Sequence, residues 1–456
     1  MINLNINLPK HFENERKYVL NTLFERFQNL QINFSINDSL NEVIINIDGK
    51  KSIIIKDFFW KDLDEDNYAV QYYQLPAIPK TINFQTKYFQ TELTSLYGEP
   101  TIDEDNDRIV INSDIIGASF FLLTRLEELL NTCNKDDHGR FPDQECFLIK
   151  YNLHKRPLIN EYINLLKYFI ESTTETELKY KKNYSVSISH DVDEIFQLFP
   201  IKNFIKTLGA DLIHRKSLSL AINTFVTLIK SIFNKKNDPF YTYQYLMNTS
   251  EKYGLQSEFY FIPSLKGEPD FRYNINDKAV IKIIENILER KHIFGIHPSY
   301  STFKNPDQLK KEKRRLEEVS NHKVTCGRQH FLRFHNPETW QHWDNLGLEQ
   351  DSSVGFIDHA GFKTGICYEH KVFDVINRKT LNLTNRPLTV MEVALKRVEI
   401  TPEEFKNEIL ELAKITSSYN GDFMLLWHNN NLNNYYWKKI GTKYEEIIRG
   451  VKNVNN

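Results

Sequence analysis

The segment Ser185-Val186-Ser187-Ile188-Ser189-His190-Asp191-Val192-Asp193 alternates small polar and apolar residues with a period of two. That alternation predicts a strand. One face carries Ser185, Ser187, Ser189, Asp191 and Asp193; the other carries Val186, Ile188, His190 and Val192. A strand that packs helices on its apolar face and turns small and acidic residues inward suits a barrel wall. Its two carboxylates would lie at the C-terminal end, where barrel enzymes keep their chemistry. Taken alone, the same two acids read as turn residues that stop the strand.

Further strands are predicted at 257–263, 293–298, 324–332, 348–354, 388–394 and 422–428, with helical patterns in most intervals. Strands alternating with helices are the signature of a βα barrel or a doubly wound sheet. Residues 195–238 are long for a connection and read as amphipathic helices. The N-terminal part looks different and predicts an α+β unit. Residues 15–29, 114–131 and 158–172 are helical in pattern, 43–47 and 52–55 flank the hairpin signal Asp48-Gly49, and 109–111 is a short strand. A polar run at 172–177 followed by lysines up to 182 marks the boundary, giving an accessory domain at 1–176 and a second domain at 183–450.

Composition adds bounds. The chain has 456 residues, enough for two or three domains, and its 41% hydrophobic and 26% charged content is ordinary for a globular protein. A net charge of −2 gives no global drive toward nucleic acid. Cys133, Cys146, Cys326 and Cys367 form no CxxC pair and read as free thiols of a reducing compartment. The first twenty residues lack an apolar core of the signal-peptide kind, and no run of about 18 apolar residues could span a bilayer. The expected location is cytoplasmic.

Four predicted strand ends carry polar groups: His190-Asp191-Val192-Asp193, Gly295-Ile296-His297, Gly327-Arg328-Gln329-His330 and Leu425-Leu426-Trp427-His428. A lone histidine after an apolar run is more often structural than functional. Four such ends in one barrel-like half point instead to carboxylates and imidazoles converging on one mouth, a donor set that suits a divalent metal and zinc in particular.

On these motifs the 183–450 half resembles the polysaccharide deacetylase superfamily, the NodB-homology or carbohydrate esterase family 4 group. The resemblance implies a distorted (β/α)7 barrel, an α/β fold, preceded here by the smaller α+β domain. It implies Asp191 as general base, Asp193 and His297 as metal ligands, Arg328 as the arginine that orients the base, and His428, in Leu425-Leu426-Trp427-His428, as general acid. The cofactor implied is a divalent metal ion, zinc in most of the family. The chain departs from the pattern at the second histidine of the metal motif, where Ser301 stands. His330 is the residue that completes the site, because it lies two residues beyond Arg328 and shares its inward parity; otherwise it packs or hydrogen-bonds only. Asp351 falls at the family's fourth motif and either holds His428 in its tautomer or caps a loop. The segments Arg328-Gln329-His330-Phe331, Gly361-Phe362-Lys363-Thr364-Gly365, Leu426-Trp427-His428-Asn429 and Asp137-His138-Gly139-Arg140-Phe141 resemble an uncharacterised bacterial subgroup with an N-terminal module.

The activity implied is metal-assisted hydrolysis of an N- or O-linked acetyl group on a sugar or a surface-polysaccharide intermediate. Two other readings stay open: a degenerate barrel that binds a glycan or protein partner, motivated by Ser301, and a hydrolase of non-sugar amides. The expected partner is a carbohydrate or lipid-linked glycan, with no nucleic acid; sequence leaves the oligomeric state open. Trp340, Tyr300 and Tyr368 are aromatics available to stack on sugar rings. Between 200 and 237 the chain has Lys202, Lys206, Arg215, Lys216, Lys230, Lys235 and Lys236 against the single acid Asp211. That segment is either a helical lid with a solvated basic face or a surface for peripheral contact with the inner membrane face.

Overall fold

The computed structural model describes all residues except 62, 64, 66–79, 87–88, 131–132, 269, 397–398 and 455–456. The chain gathers into two compact units. One comprises 1–185, 332–389 and 415–423; the other comprises 186–331, 390–414 and 424–456. The sequence places a single crossing at 176–183, whereas the contacts place two later segments with the N-terminal residues.

The first unit is built on a mixed sheet of six strands, in the order 30–36, 2–8, 43–47, 51–55, 108–113, 98–104. Apolar residues alternate with asparagines along Ile2–Leu8, and in both Ile2–Leu8 and Val43–Ile47 every second side chain is buried. Helix Leu158–Thr174 supplies the longest apolar face, with Leu158, Tyr162, Leu165, Phe169 and Ile170 buried. Residues 332–389 add their own strands, Lys379–Asn385 antiparallel to His370–Asp374, and lodge Phe373 against Tyr18 and Phe120 at ring distances of 5.0 and 5.5 Å. The single helix expected over 114–131 is two, Ile115–Leu123 and Leu126–Leu130. Arg125 breaks it with φ 52°. Its buried guanidinium donates to Glu128 and to the Lys363 carbonyl.

The second unit holds a sheet whose strands are β1 (Ser185–Val192), β2 (Ser257–Phe261), β3 (Ile293–Ile296), β4 (Cys326–Gly327), β5 (Val390–Met391) and β6 (Asp422–Leu426). Their order is β4-β3-β2-β1-β6-β5. The β1–β2, β2–β3, β3–β4 and β5–β6 ladders are parallel. Parallel strands are buried on both faces, and Phe259, Tyr260, Phe261, Ile296, Phe423 and Leu425 are accordingly within the core. Six of the seven predicted strands have a counterpart here, and the one expected over 348–354 is the two-residue strand Gln350–Asp351 of the first unit. The (β/α)7 barrel is not closed, since among the described residues β4 and β5 end the row in this unit. The strand expected over 324–332 pairs only at Cys326–Gly327. Beyond it Phe331 and Leu332 take left-handed φ values of 60° and 51°, which no ladder accommodates. The neighbouring strands run very close. A Cβ added at Gly327 would lie 2.0 Å from the Ile296 carbonyl oxygen, and one at Gly295 would lie 2.5 Å from that of Cys326. Between β1 and β2 the chain makes three α-helices, α1 (Ile201–Gly209), α2 (Leu218–Phe233) and α3 (Tyr243–Lys252), the first two joined by a wider turn at 210–214.

Candidate metal and active centre

Strand β1 divides its side chains as its period requires. His190, fully buried, points to one face, where Nδ1 donates to the Trp427 carbonyl at 2.7 Å and Nε2 lies 3.3 Å from Ser257 Oγ. Burial holds its pKa down, near 4. It is a neutral structural histidine. Ser189 and Asp191 point to the other face, and Arg328, wholly buried, ties them together. Its guanidinium donates to Asp191 Oδ1 at 2.8 Å and to Ser189 Oγ at 3.0 Å, and lies over the Tyr260 ring. A buried guanidinium fixed on several sides leaves the Asp191 carboxylate little rotational freedom.

Asp193, His297 and His330 bring one donor atom each to within 4.8 Å of one another. Asp193 Oδ1 stands 3.4 Å from His297 Nε2 and 3.6 Å from His330 Nε2. That oxygen is buried and accepts no hydrogen bond. Both imidazoles are oriented from behind. His297 Nδ1 donates to the Arg328 carbonyl at 2.6 Å, and His330 Nδ1 donates to Asp270 Oδ2 at 3.1 Å. With each Nδ1 bearing the proton, the Nε2 lone pairs face the shared point, which is how metal-ligating histidines are ordinarily held. Burial alone would raise the Asp193 pKa, but the imidazoles of His330 and His297 outweigh it and hold the carboxyl well below the usual range. Burial alone would lower His297; Asp191 and Asp193 more than offset it and raise its pKa. An orphaned carboxylate oxygen and two aimed imidazoles fit a divalent cation better than they fit one another.

His428 completes the cluster, with Nε2 3.9 Å from Asp193 Oδ2. Behind it the wholly buried Glu392 accepts from His428 Nδ1 at 2.7 Å, from the His428 backbone N–H at 3.0 Å and from Asn431 Nδ2 at 2.7 Å. Burial would depress the His428 pKa; the Glu392 carboxylate overrides it and raises the pKa to about 10. An imidazolium held this way can donate a proton at neutral pH. Such an acid works only while protonated, so activity falls as pH rises through its pKa. Glu392→Gln removes the charge but not the burial, and the alkaline limb of kcat against pH is expected to move down by about one unit or more. A limb that stays in place would take Glu392 out of this role.

All six predicted site residues, Asp191, Asp193, His297, Arg328, His330 and His428, thus meet in one unit. His330 arrives by a different route from the one its parity suggested: the strand has ended, and a short turn at His330–Leu332 carries the ring into place. Ser301 is exposed at the start of another turn. Asp351 belongs to the other unit, where it accepts from Trp340 Nε1 and from the Ser353 backbone; Glu392 fills the place considered for it. Trp340 and Tyr368 are each 1% exposed, so neither can stack on a sugar ring; Tyr300 is partly exposed. Sequence reasoning missed Asp270 and Glu392. Glu392 stands at the C-terminal end of a predicted strand, the same signal that picks out Asp191, His297 and His428. Asp270 lies in a loop with no such mark.

The fold and the cluster together define a parallel α/β unit with an Asp-His-His centre flanked by an arginine-held carboxylate and a glutamate-held imidazole. Residues 4–175 match the model of a family of unknown function, DUF7033. No curated protein matches the chain. Among solved structures, a protein assigned as a polysaccharide deacetylase from Mycobacterium smegmatis is similar at 15% identity and TM-score 0.38, over 61% of this chain and 87% of that one. A carbohydrate esterase family 4 pseudoenzyme from Bacillus anthracis is similar at 11% identity and TM-score 0.31, over 59% and 61%. A mutant of the peptidoglycan deacetylase PdaC from Bacillus subtilis is similar at 10% identity and TM-score 0.25, over 60% and 85%.

Proposed function

We propose that this chain is a metal-dependent hydrolase that removes N- or O-linked acetyl groups from a carbohydrate. The observation that carries this reading is the convergence of Asp193, His297 and His330 on one point, between Asp191 on Arg328 and His428 on Glu392. The sequence motifs around Asp191, His297 and His428, which resemble the polysaccharide deacetylases, support it independently. Asp193, His297 and His330 would hold a divalent metal, with zinc the ion this donor set favours. Bound there, the metal supplies Lewis acidity toward the acyl oxygen and toward water.

The remaining steps belong to the side chains. Asp191 accepts the proton of the attacking water, and Arg328 keeps its carboxylate ionised and aimed. His428 gives its proton to the departing amine or alkoxide, and Glu392 holds it protonated until then. Ser301 in place of the second histidine does not leave the centre short of a ligand, because His330 provides the imidazole. The test is acetate release from a panel of acetylated oligosaccharides, read beside metal analysis of the purified protein. The expected result is acetate release that a chelator removes and zinc restores. A metal-loaded protein silent on N- and O-acetyl sugars alike would overturn the substrate class, and a protein that takes up no divalent metal would overturn the centre.

A further inference from the structure

In a soluble protein a helix turns its apolar stripe toward the core. Helix α2 does the reverse. Leu218, Ile222, Phe225, Ile229, Ile232 and Phe233 recur at helical spacing and are between 42% and 86% exposed. Its inner side, Ala221, Leu228 and Ser231, is buried, with Leu228 packed against Phe204 of α1 and Leu198. The hairpin therefore has a seam of its own, which Phe225 borders with its ring 6.4 Å from that of Phe204 while remaining 51% exposed. Ile201 and Ile205 of α1 and Ile213 of the turn extend the exposed apolar surface at 57%, 63% and 70%. An exposed apolar stripe of this kind marks an interaction surface.

The charges around it say which kind. Seven basic residues lie between 200 and 237 against one acid, in a chain whose net charge is −2. That acid, Asp211, is buried and already held by Arg215 and Thr224. Lys202, Lys206, Lys216, Lys230, Lys235 and Lys236 are exposed, and none forms an ion pair among the described residues. Tyr435 and Tyr436, 52% and 64% exposed, stand beside the turn with the Arg215 guanidinium over their rings. Outward apolar residues, a surplus of exposed lysines outside any ion pair and amphipathic aromatics are the composition of a helix that lies in a lipid interface. An uncharged apolar partner would need no such surplus of cations; an anionic bilayer does. At 16 residues α2 is too short to span, and no described helix is long and apolar enough to cross a membrane.

We propose that the α1–α2 hairpin docks this protein on an anionic lipid bilayer, its apolar stripe at the acyl boundary and its lysines among the headgroups. A groove of about 690 Å³ reaches from Glu194, the neighbour of Asp193, past Phe196 and Phe199 to Lys202 and Lys206.

The experiment is co-sedimentation of the full chain with phosphatidylglycerol–phosphatidylcholine vesicles and with phosphatidylcholine vesicles, at low and high salt. Wild type is expected to pellet with the anionic vesicles at low salt, and less as salt screens the lysines. Replacing Ile222, Phe225, Ile229 and Phe233 together by serine should lower the partition coefficient about tenfold or more, and replacing the six lysines by glutamine should do the same. Both sets alter exposed side chains, and thermal unfolding curves matching wild type separate lost binding from lost folding. Failure to pellet with anionic vesicles at low salt overturns the proposal, as does binding that neither set weakens. Self-association that the serine set abolishes, without vesicle binding, assigns the face to a second copy of the chain and overturns it too.

Discussion

Asp191→Asn is expected to lower turnover by about 10³-fold, within the range for loss of a positioned proton acceptor, and to leave the metal content of the purified protein unchanged. The substitution is nearly isosteric. The amide oxygen can still accept from Arg328 Nη1, which lies 2.8 Å from the carboxylate, so the arginine keeps a partner. What disappears is the basic oxygen. Asp191 is not among the three residues whose donor atoms converge, so the ion's own ligands stay in place. The loss should fall on kcat with little change in KM, because an acceptor of the water proton acts in the transition state rather than in substrate binding. Activity within a few-fold of wild type would remove Asp191 from the role. Loss of metal together with activity would make it a ligand instead, which its 3.7 Å distance to His297 Nε2 makes worth measuring.

His330→Ala is expected to lower metal affinity by about 10²-fold or more, since even an outer partner of a ligand is worth about 10–100-fold. Asp270→Asn tests that outer partner directly and should fall within the smaller range. The order matters more than the size: alanine at 330 must cost more than asparagine at 270, because the ring is the donor and the carboxylate only aims it. Both are read by competition with a chromogenic chelator, without any substrate. Equal affinity in wild type and His330→Ala would show that Asp193 and His297 hold the ion with water or another residue. Affinity should also fall as pH drops, since both imidazoles must be unprotonated to bind.

Much of this centre was legible in the sequence because parallel strands deliver their last side chains to one edge of a sheet. An apolar run that ends in Asp, His or Arg is therefore readable one strand at a time, and Asp191, Asp193, His297, Arg328 and His428 were found that way. His330 was found by the right neighbourhood and the wrong geometry: its strand stops three residues early, and the left-handed Phe331 turns the chain. Glu392 carries the same signal, an acid that follows the apolar Val390-Met391 near the end of a strand. Asp270 had no signal, since a loop residue reaches a site through tertiary folding alone. The period of α2 was legible as well, but not its direction. A 3.6-residue period shows that a helix has an apolar side; only the packed neighbours show where that side faces.

The discontinuity of the first unit has a consequence in time. Its six-stranded sheet and the helix Leu158–Thr174 are complete by residue 185, yet Phe373, which packs on Tyr18 and Phe120, and Asp422, which pairs with Arg26 at 2.9 Å, are made much later. At synthesis rates of about 5–20 residues per second, the roughly 240 intervening residues take on the order of 12 to 50 s to appear. Through that interval the nascent first unit carries apolar surface that nothing in the finished part of the chain can cover. Such a chain is exposed to aggregation on the ribosome and is a natural client for a chaperone that binds early and releases late.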